Sequence, residues 1–401
     1  MSAIPAFSDA RRSPPALIVG DDQVNVLGLA RNLGRNGVIV HRLGAVDAPV
    51  LRSRYIRSLR VVNGIDDSPD GEFVAALERS ARGAGGKPVL FPTSDLHAIR
   101  VARHAAALAG SFRLLAASLP ATETLVNKRR FYESLEAMGV AHPATRFPRT
   151  RDEFEAAAAQ IGYPVLIKPE ISPLFARLFQ KKGFVAHDRE ELFRHLETLE
   201  GSGLDMVAQE IIPGGADCTY GCAGLRTADS VLVFCYRRVR EFPEGFGSGS
   251  LLVSVQPFVG KTRLLEYLDH LGYTGIFEAE FKCDPRDGVY KMIEINARSW
   301  WQNTHPSASG LNIVMAAYDH AAGRQVVPGG YRAGTKWVHL YNDYFAARAA
   351  GLGFLAWRRS LAGQTAFDVW ARDDVRPMIA FLSAIMRSKV RKALGLRPAS
   401  R

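Results

Sequence analysis

Lys168 is the only charged residue in the apolar run 165–169 (VLIKP), a composition that predicts a buried strand. The end of such a strand is where a sheet presents side chains to a cleft, and a lysine there can neutralise a phosphate. A surface lysine whose alkyl stem lies along apolar neighbours would give the same pattern. The position therefore predicts either a phosphate contact or a solvated lysine.

A second motif, residues 209–217 (QEIIPGGAD), combines an apolar strand with a Pro-Gly turn and two carboxylates seven positions apart, Glu210 and Asp217. Such a hinge can present backbone groups to the edge of an adenine base and a carboxylate to ribose hydroxyls. Taken alone, the segment is also an ordinary strand followed by a turn.

Carboxylate and amide side chains recur on two predicted strands joined by the turn 284–288. Residues two positions apart in a strand share a face, as Glu294 and Asn296 do. If the strands pair across the turn, Glu280, Glu294 and Asn296 can form one cluster of oxygen donors. Hard oxygen donors suit Mg²⁺, which binds one or two carboxylates together with substrate phosphates. A solvated hairpin with a ladder of charges is the alternative.

The scaffold that must position these residues has two parts. Residues 16–120 alternate short apolar runs with helical periods, which predicts βαβ units and a parallel sheet. One glycine follows the first strand where a dinucleotide site has GxGxxG, so we do not expect dinucleotide binding there. From about residue 121 the pattern changes to helices over 121–138 and 152–160 and then to longer strands, which predicts a mixed α+β unit.

Composition excludes several classes of protein. The chain has 401 residues, of which 47% are hydrophobic and 23% charged, close to the average for folded soluble proteins. Its four cysteines form no CxxC pair, so a disulfide scaffold and a structural zinc site are not expected. Residues 1–15 read as a leader without the apolar core of a signal peptide, and no run is long enough to span a membrane. The expected compartment is the cytoplasm.

The positive charge is concentrated at one end of the chain. The net charge is +11, and residues 387–401 hold six basic residues and no acidic one. Such a tail can lie on an anionic membrane or on nucleic acid, although a charge run is more often a solvated end. We expect no nucleic-acid partner and keep a weak membrane association open.

Four motifs in order resemble those of the ATP-grasp superfamily. They lie in residues 126–131 (VNKRRF), 165–169 (VLIKP), 209–214 (QEIIPG) and 294–298 (EINAR), within a match over about residues 16–325. Within that superfamily the chain is most similar to carboxylate–amine ligases of the D-aspartate ligase type. This likeness rests on residues 236–243 (YRRVREFP), 247–251 (GSGSL) and 280–288 (EFKCDPRDG).

The resemblance implies a fold of class α/β and α+β, an ATP-grasp fold preceded by a Rossmann-like parallel-sheet domain. The resemblance implies a flexible leader at residues 1–15, the Rossmann-like domain at 16–120 and the ATP-grasp domain at 121–330, whose ATP-lid subdomain covers about 140–212. A C-terminal extension follows at residues 331–401, with its basic tail at 387–401.

The resemblance also implies a nucleotide site. ATP and Mg²⁺, with two ions, are the expected cofactors. Lys128 and Lys168 would contact the phosphates, and Lys181 or Lys182 would assist because the loop after Lys168 is poor in glycine. The strand Gln209, Glu210, Ile211 and Ile212 would lie along the adenine, Asp217 at the ribose, and Glu280, Glu294 and Asn296 around the metal.

The implied reaction is amide formation. A substrate carboxylate attacks the γ-phosphate to give an acyl phosphate, and an amine then displaces phosphate. Arg298 is the candidate for stabilising the oxyanion, and Arg240 is the candidate for holding a carboxylate bidentately. The expected substrates are a carboxylate and an amine resembling amino acids, and a homodimer is possible by analogy.

Three alternatives remain open from the sequence. The chain could be an ATP-grasp enzyme of the phosphoryl-transfer or carboxylase type, or a nucleotide-binding protein whose tail binds membrane or nucleic acid.

Residues 260–262 (GKT) resemble the end of a Walker A loop but lack its first glycine, so they predict a helix start. Asp95 could receive an amino group, but its position favours an N-cap for the following helix.

Overall fold

The computed structural model describes residues 13–393 of the chain, apart from 47, 49–50, 116–117, 172–174, 176–177 and 180. The N-terminal part is a five-stranded sheet in the order β3-β2-β1-β4-β5, and all its strand pairs are parallel, as predicted. Its elements are β1 (Ala16–Val19), α1 (Gln23–Gly34), β2 (Val40–Gly44), β3 (Ile56–Val61), α2 (Asp70–Gly83), β4 (Val89–Pro92), α3 (Asp95–Arg103), α4 (Ala105–Leu108) and β5 (Arg113–Leu114).

The carboxyl edge of this sheet leads directly into polar residues. Strand β1 is buried throughout, and one turn after it the side chain of Asp22 caps α1 by accepting from Asn25 N at 3.3 Å. Strand β4 leads into Ser94 and Asp95 at the start of α3. Because β1 and β4 are parallel neighbours, Asp22 and Asp95 come to the same edge of the sheet.

The next part is a small antiparallel sheet in the order β6-β9-β7-β8. A core that includes Phe154, Ile167 and Leu192 packs two helices against it. The sheet falls within the range expected for the lid subdomain, 140–212, but the division into domains stays a prediction. The elements of this part are α5 (Leu119–Val126), α6 (Lys128–Ala137), β6 (Thr145–Arg146), α7 (Arg151–Ile161), β7 (Val165–Pro169), β8 (Phe184–Ala186), α8 (Arg189–Leu199) and β9 (Met206–Glu210).

One helix was expected over residues 121–138, and this prediction is wrong because the structure has two. Helix α5 ends at Val126, and Asn127 caps α6 by accepting from Arg130 N at 3.1 Å. An asparagine side chain that bonds to the backbone in this way starts a new helix. Lys128 is therefore the first residue of α6, at the positive end of the helix dipole.

The central sheet has seven strands in the order β14-β13-β10-β11-β12-β15-β16. Its pairs are antiparallel except that β15 and β16 are parallel. After a short 3₁₀ turn (Ala216–Cys218), the remaining elements are β10 (Thr219–Arg226), β11 (Val231–Phe242), β12 (Ser248–Ser254), α9 (Val259–His270), β13 (Gly275–Cys283), β14 (Tyr290–Asn296), α10 (Thr304–Ser309), α11 (Ile313–Ala321), β15 (Lys336–Val338), α12 (Leu340–Ala349), α13 (Phe354–Ser360), β16 (Thr365–Phe367) and α14 (Arg376–Ala393).

The C-terminal extension is part of this sheet. Strands β15 and β16 continue it beyond β12. The extension therefore forms one edge of this sheet, and β14, next to β13, forms the opposite edge. The extension also reaches the N-terminal part, where Arg31 Nε on α1 donates to Asp374 Oδ2 at 3.1 Å. A single hydrophobic core contains Ile18, Phe234 and Trp337, which belong to three successive parts of the chain.

A search of the described residues found no helix that is both long and apolar enough to cross a membrane. In the basic tail, α14 covers residues up to 393, and residues 394–401 lie outside those described. Of the expected leader, only residues 13–15 are described.

Candidate active site

Two lysines, Lys168 buried and Lys128 half-buried, lie where β7 ends and α6 begins. Lys168 is the fourth residue of β7 and is only 8% exposed. Lys128 begins α6, and its backbone N–H donates to the carbonyl of Glu170, just beyond β7, at 3.2 Å. This hydrogen bond holds the first turn of α6 against the end of β7, and it brings the two ammonium groups within electrostatic reach of each other.

Tyr132 links this lysine pair to the central sheet. Lys168 Nζ donates to Tyr132 Oη at 3.1 Å, and Tyr132 Oη donates to the carbonyl of Ile293 on β14 at 2.6 Å. The hydroxyl hydrogen is directed at Ile293, so its lone pairs are free to face Lys168. The small sheet and the central sheet are thereby fixed to each other at the lysines.

Desolvation disfavours the charged form of both lysines. The pKa of each lysine is lowered to about 8, chiefly by desolvation, and at Lys128 the charge of Lys168 contributes to the lowering. Glu294 opposes this shift at both lysines, and Glu280 opposes it at Lys168. Two like charges in a desolvated place gain from an added anion, so the arrangement suits a phosphate chain.

Strands β13 and β14 carry acidic residues on the face that the lysines approach. Their register pairs Glu280 with Glu294 and Glu278 with Asn296, so the predicted pairing across the turn is confirmed. Asn296 Nδ2 donates to Glu278 Oε2 at 2.6 Å, and Tyr236 Oη donates to the other oxygen of Glu278. The face therefore presents three carboxylates and one amide.

Glu278 is the most perturbed acid of this face. The pKa of Glu278 is raised to about 7, chiefly by burial, and the charges of Glu280 and Glu294 contribute to the rise. Hydrogen bonds from Tyr236 and Asn296 act in the opposite direction. A carboxyl group poised in this way can hold or release a proton near neutral pH.

Arg238 on β11 is the cation of the acidic face. Its Nη2 donates to Glu280 Oε2 at 2.5 Å, and its Nη1 donates to Glu241 Oε2 at 2.7 Å. Burial lowers the pKa of Arg238, but Glu280 and Glu241 outweigh this effect and the net shift is upward. Among the described residues its buried Nε has no hydrogen-bond partner. The guanidinium therefore keeps its charge beside Glu280, and its Nε–H is not used within the described residues.

Arg298 joins the acidic face to the edge of the parallel sheet. Its Nε donates to Asp95 Oδ1 at 2.8 Å, and its Nη2 donates to Asn296 Oδ1 at 2.9 Å. The N-cap preferred for Asp95 is wrong, because Ser94 caps α3 by accepting from His97 N at 3.2 Å. Asp95 is the first residue of the helix, which leaves its carboxylate free to pair with Arg298.

Asp22 is a second acid close to Arg298. Trp301 Nε1 donates to Asp22 Oδ2 at 2.6 Å. Burial raises the pKa of Asp22, while hydrogen bonds and the charge of Arg298 oppose that rise. The carboxyl ends of β1 and β4 thus contribute two carboxylates on either side of one guanidinium.

The expected adenine strand lies at the end of β9. Gln209 is buried and its Nε2 donates to Thr145 Oγ1 at 2.8 Å, while Ile212 is buried and Ile211 half-buried in the turn that follows. The carboxylate of Glu210 accepts from Ala144 N at 3.0 Å and pairs with two cations, Arg286 and Lys291. These bonds outweigh the effect of burial and lower the pKa of Glu210.

The carboxylate of Glu210 is engaged by Ala144, Arg286 and Lys291. A contact of this strand with an adenine base would therefore use its backbone groups. Asp217, the residue expected at the ribose, is exposed in the 3₁₀ turn (Ala216–Cys218).

The loop after Lys168 is described only in part, because residues 172–174, 176–177 and 180 are outside the described set. Lys182 Nζ donates to the carbonyl of Gly247 at 3.4 Å, and Lys181 Nζ lies 5.1 Å from the centre of the Phe184 ring. The contact of Lys182 links the loop to the start of β12. Contacts of either lysine with phosphate stay a prediction.

Arg240 is already engaged with a carboxylate of the protein. Its Nε and Nη2 donate to the two oxygens of Asp343 at 2.8 and 2.7 Å, and Nη2 also donates to Ser360 Oγ at 3.0 Å. Asp343 is fully buried and also accepts from Ser250 and Trp357. The structure therefore gives Arg240 a contact with the extension, and its role as a clamp for substrate stays a prediction.

The donor chemistry fits Mg²⁺. Glu280, Glu294 and Asn296 offer hard oxygens on one face opposite two lysines, as a metal bound together with phosphates requires. Among the described residues, no three His, Cys, Asp or Glu side chains are drawn together as a finished metal site. Glu280 is held by Arg238, and the oxygen of Asn296 accepts from Arg298. These carboxylates and this amide fit a metal whose shell is completed by substrate and water.

Of the predicted residues, the structure brings Lys128, Lys168, Glu280 and Glu294 into mutual electrostatic reach and joins Asn296 to Arg298. It places Glu210, Asp217 and Arg240 in other surroundings. Residues 260–262 lie in the first turn of α9, as expected.

Three residues of the site were missed: Glu278, Arg238 and Tyr132. The alternation that puts Glu278 on the face of Glu280 was a usable signal. The role of Tyr132 depends on a partner 161 residues away, so no signal in the local sequence indicated it.

No protein-family model matches the chain. In sequence it is similar to D-aspartate ligase of Enterococcus faecium, with 26% identity over 74% of each chain. It is also similar to the carbamoyl phosphate synthase large chain of Myxococcus xanthus, with 28% identity over 46% of this chain but only 18% of that longer protein. The first similarity agrees with the resemblance inferred from the motifs.

Two solved structures have the same fold. L-amino acid ligase from Bacillus licheniformis has a TM-score of 0.61 and 16% identity over 81% of this chain and 79% of its own. The biotin carboxylase domain of the 2-oxoglutarate carboxylase from Hydrogenobacter thermophilus, solved with MgADP and bicarbonate, has a TM-score of 0.63 and 14% identity over 80% of this chain and 73% of its own. The predicted ATP-grasp fold behind a Rossmann-like part is confirmed.

Proposed function

We propose that this chain, which has the ATP-grasp fold and resembles D-aspartate ligase in sequence, is an ATP-dependent carboxylate–amine ligase. One observation supports this function above the others. Two lysines with lowered pKa values, Lys168 buried and Lys128 half-buried, face paired carboxylates across a contact between two sheets. Such a site is built for a polyphosphate with a divalent metal, which is what phosphoryl transfer to a carboxylate needs.

The lysines hold the phosphate chain in this proposal. Lys128 adds the positive end of α6 to its own charge, and Lys168 is aimed by its hydrogen bond to Tyr132. Glu280, Glu294 and Asn296 would hold Mg²⁺, which would supply a Lewis acid to neutralise charge on the transferred phosphoryl group. Arg238 fixes the orientation of Glu280 through its guanidinium. We expect two ions.

The nucleoside end follows from the same assignment. The turn after β9, with Gln209, Ile211 and Ile212, would lie along the base, and Asp217 would reach the ribose. Lys181 and Lys182 would close over the phosphates. The proposed division places ATP between the lid subdomain, residues 140–212, and the rest of the ATP-grasp domain, residues 121–330.

The acceptor end lies at the edge of the parallel sheet. Arg298 can stabilise a carboxylate or the oxyanion that forms when an acyl phosphate is attacked, because a guanidinium donates two parallel hydrogen bonds. Asp22 and Asp95 lie beside it and can hold an ammonium group. A pocket with both charges favours substrates that resemble amino acids. The expected compartment is the cytoplasm, and a homodimer is possible by analogy.

The test is ATP turnover across a panel of amino acids and small dicarboxylates with hydroxylamine as the trap. The ligase predicts phosphate release and a hydroxamate that depend on one acid, followed by an amide once the correct amine is added. Glu294→Gln should reduce both products at least about a hundredfold, as loss of one charge-stabilising group does. Lys87→Met, at an exposed lysine far from the site in sequence, is the matched control.

Two outcomes would replace this proposal. Phosphate release that depends on bicarbonate, with no hydroxamate from any acid, would favour the carboxylase alternative. Phosphate release that is undiminished in Glu294→Gln would remove the metal assignment.

A further inference from the structure

Helix α14 has an apolar stripe on its outer face. The exposed fractions of Ile379, Leu382, Met386 and Val390 are 60, 51, 67 and 56%. Their spacing of three or four residues places them on one side of the helix. The inner side is different, because Met378 and Phe381 pack against the main hydrophobic core. The helix therefore uses one apolar side for packing and leaves a second one in contact with water.

The charges around this stripe have one sign. Arg387 and Lys389 are exposed and lie on opposite sides of the stripe, at about 80° from Ile379 in either direction at 100° per residue. From Val375 to the end of the chain the sequence contains seven lysines and arginines and no aspartate or glutamate. An apolar stripe flanked by cations is the pattern of a helix that lies in a membrane interface.

The helix is held in a fixed position at its start. Asp374, two residues before α14, is buried, and its carboxylate accepts from Arg31 Nε at 3.1 Å, Ser53 Oγ at 2.6 Å and Arg54 N at 3.0 Å. With Phe381 also packed on the core, the helix cannot turn its outer side inward without breaking these contacts. The apolar stripe is therefore a property of the folded protein.

We propose that α14 docks this protein on an anionic lipid surface. The apolar stripe enters the boundary between headgroups and acyl chains, and the flanking cations contact the negative headgroups. The proposal concerns where the enzyme sits and holds whether or not its reaction is the one proposed above.

Two other occupants fit the same side less well. A second copy of the chain would bring two sets of cations together with no acid in the segment to neutralise them. Nucleic acid would use the cations but would gain nothing from four exposed aliphatic side chains.

The test is co-sedimentation of the full chain with vesicles of phosphatidylcholine alone or with 30% phosphatidylglycerol. We expect binding to the anionic vesicles only, and loss of that binding at high salt because the charges are screened. Arg387→Gln with Lys389→Gln should weaken the partition coefficient about fivefold for each cation removed. Leu382→Gln with Met386→Gln should weaken it about tenfold for each apolar side chain.

Val327→Gln and Arg194→Gln are matched controls, because their side chains are 76 and 68% exposed on other parts of the surface. All four sets of variants should keep the circular dichroism spectrum and the melting temperature of the parent protein, which shows that they fold. Equal binding of the stripe variant and of the parent protein would overturn the proposal. So would no binding to anionic vesicles, or a dimer in sedimentation equilibrium that the stripe variant converts to monomer.

Discussion

Arg31 and Lys168 are both buried cations, and they have different surroundings. Arg31 donates to the carboxylate of Asp374 and to the carbonyls of Asp368, Val369 and Asp374, over 2.6–3.1 Å. Lys168 has three hydrogens to donate, and among the described residues it donates one of them, to Tyr132. The first cation is satisfied by the fold, whereas the second has donors in reserve and a lowered pKa.

The comparison extends to neighbouring residues. Arg240 with Asp343 repeats the arrangement of Arg31, with a bidentate pair and further donors around the carboxylate. Lys128 differs from these pairs, because the like charge of Lys168 lies beside it and lowers its pKa. Buried charges that the protein itself neutralises hold parts of the chain together, and buried charges that it leaves in excess indicate where a ligand of opposite sign binds.

The largest expected effect comes from breaking a satisfied pair. Asp374→Asn leaves Arg31 buried beside a neutral amide and should reduce the free energy of unfolding by about 3–5 kcal/mol. Urea denaturation followed by circular dichroism measures it. A loss below about 1 kcal/mol would show that Arg31 does not depend on this carboxylate.

Removing a reserve charge should have the opposite consequence for stability. Lys168→Met should reduce ATP turnover about 10²–10³-fold, the cost of losing one group that stabilises developing charge. It should leave the melting temperature unchanged or raise it, because a desolvated ammonium is removed. Thermal unfolding and phosphate release from the same preparation decide the matter. A variant that is both inactive and much less stable would place Lys168 with the structural cations.

The lowered pKa values of Lys128 and Lys168 also predict a dependence on pH. Their pKa values near 8 lie below the ordinary 10.5, so the ligand-free protein loses these charges as pH rises through 8. Above pH 8, nucleotide binding must restore each proton, and the dissociation constant should rise about tenfold per pH unit for each lysine that takes one up. Calorimetric titration with ADP between pH 6.5 and 9.5 measures this, and Lys168→Met should flatten the curve.

The smallest effect is expected one residue from the largest. Asp373 pairs with Arg35 at 2.8 Å, but both side chains are about 40% exposed. Asp373→Asn should therefore reduce the free energy of unfolding by less than about 1 kcal/mol. Because Asp373 and Asp374 are adjacent, equal losses from both variants would show that burial is not what separates them.

The sequence was sufficient to predict the convergence of Lys168 with Glu280 and Glu294. Strand ends and two-residue alternation are local rules, and here they agree with the tertiary structure. Local rules failed where a choice depended on competition between neighbours. Asp95 was expected to cap α3, but Ser94 caps it instead. The carboxylate of Asp95 pairs with Arg298, which comes from another part of the chain.

The extension was beyond local prediction for a different reason. Strands β15 and β16 have three residues each; β15 pairs with the edge that β12 offers, and β16 pairs with β15. Arg238 and Tyr132 were missed in the same way, since their roles depend on partners 42 and 161 positions away. A strand of three residues is too short to show a periodic pattern, and a contact between distant residues leaves no pattern in the local sequence.

The place of β15 and β16 in the sheet has a consequence for how the protein is made. Residues 16–114 contain all five strands of the parallel sheet and can pair them early on the ribosome. The sheet that carries Glu280 and Glu294 is different, since its last strand ends at Phe367 and the partner of Arg31 follows only at residue 374. Until then the nascent chain keeps one open strand edge and one unneutralised guanidinium. A ribosome that stops near residue 330 would release a chain prone to aggregation, with its ATP-binding residues present and their scaffold unfinished.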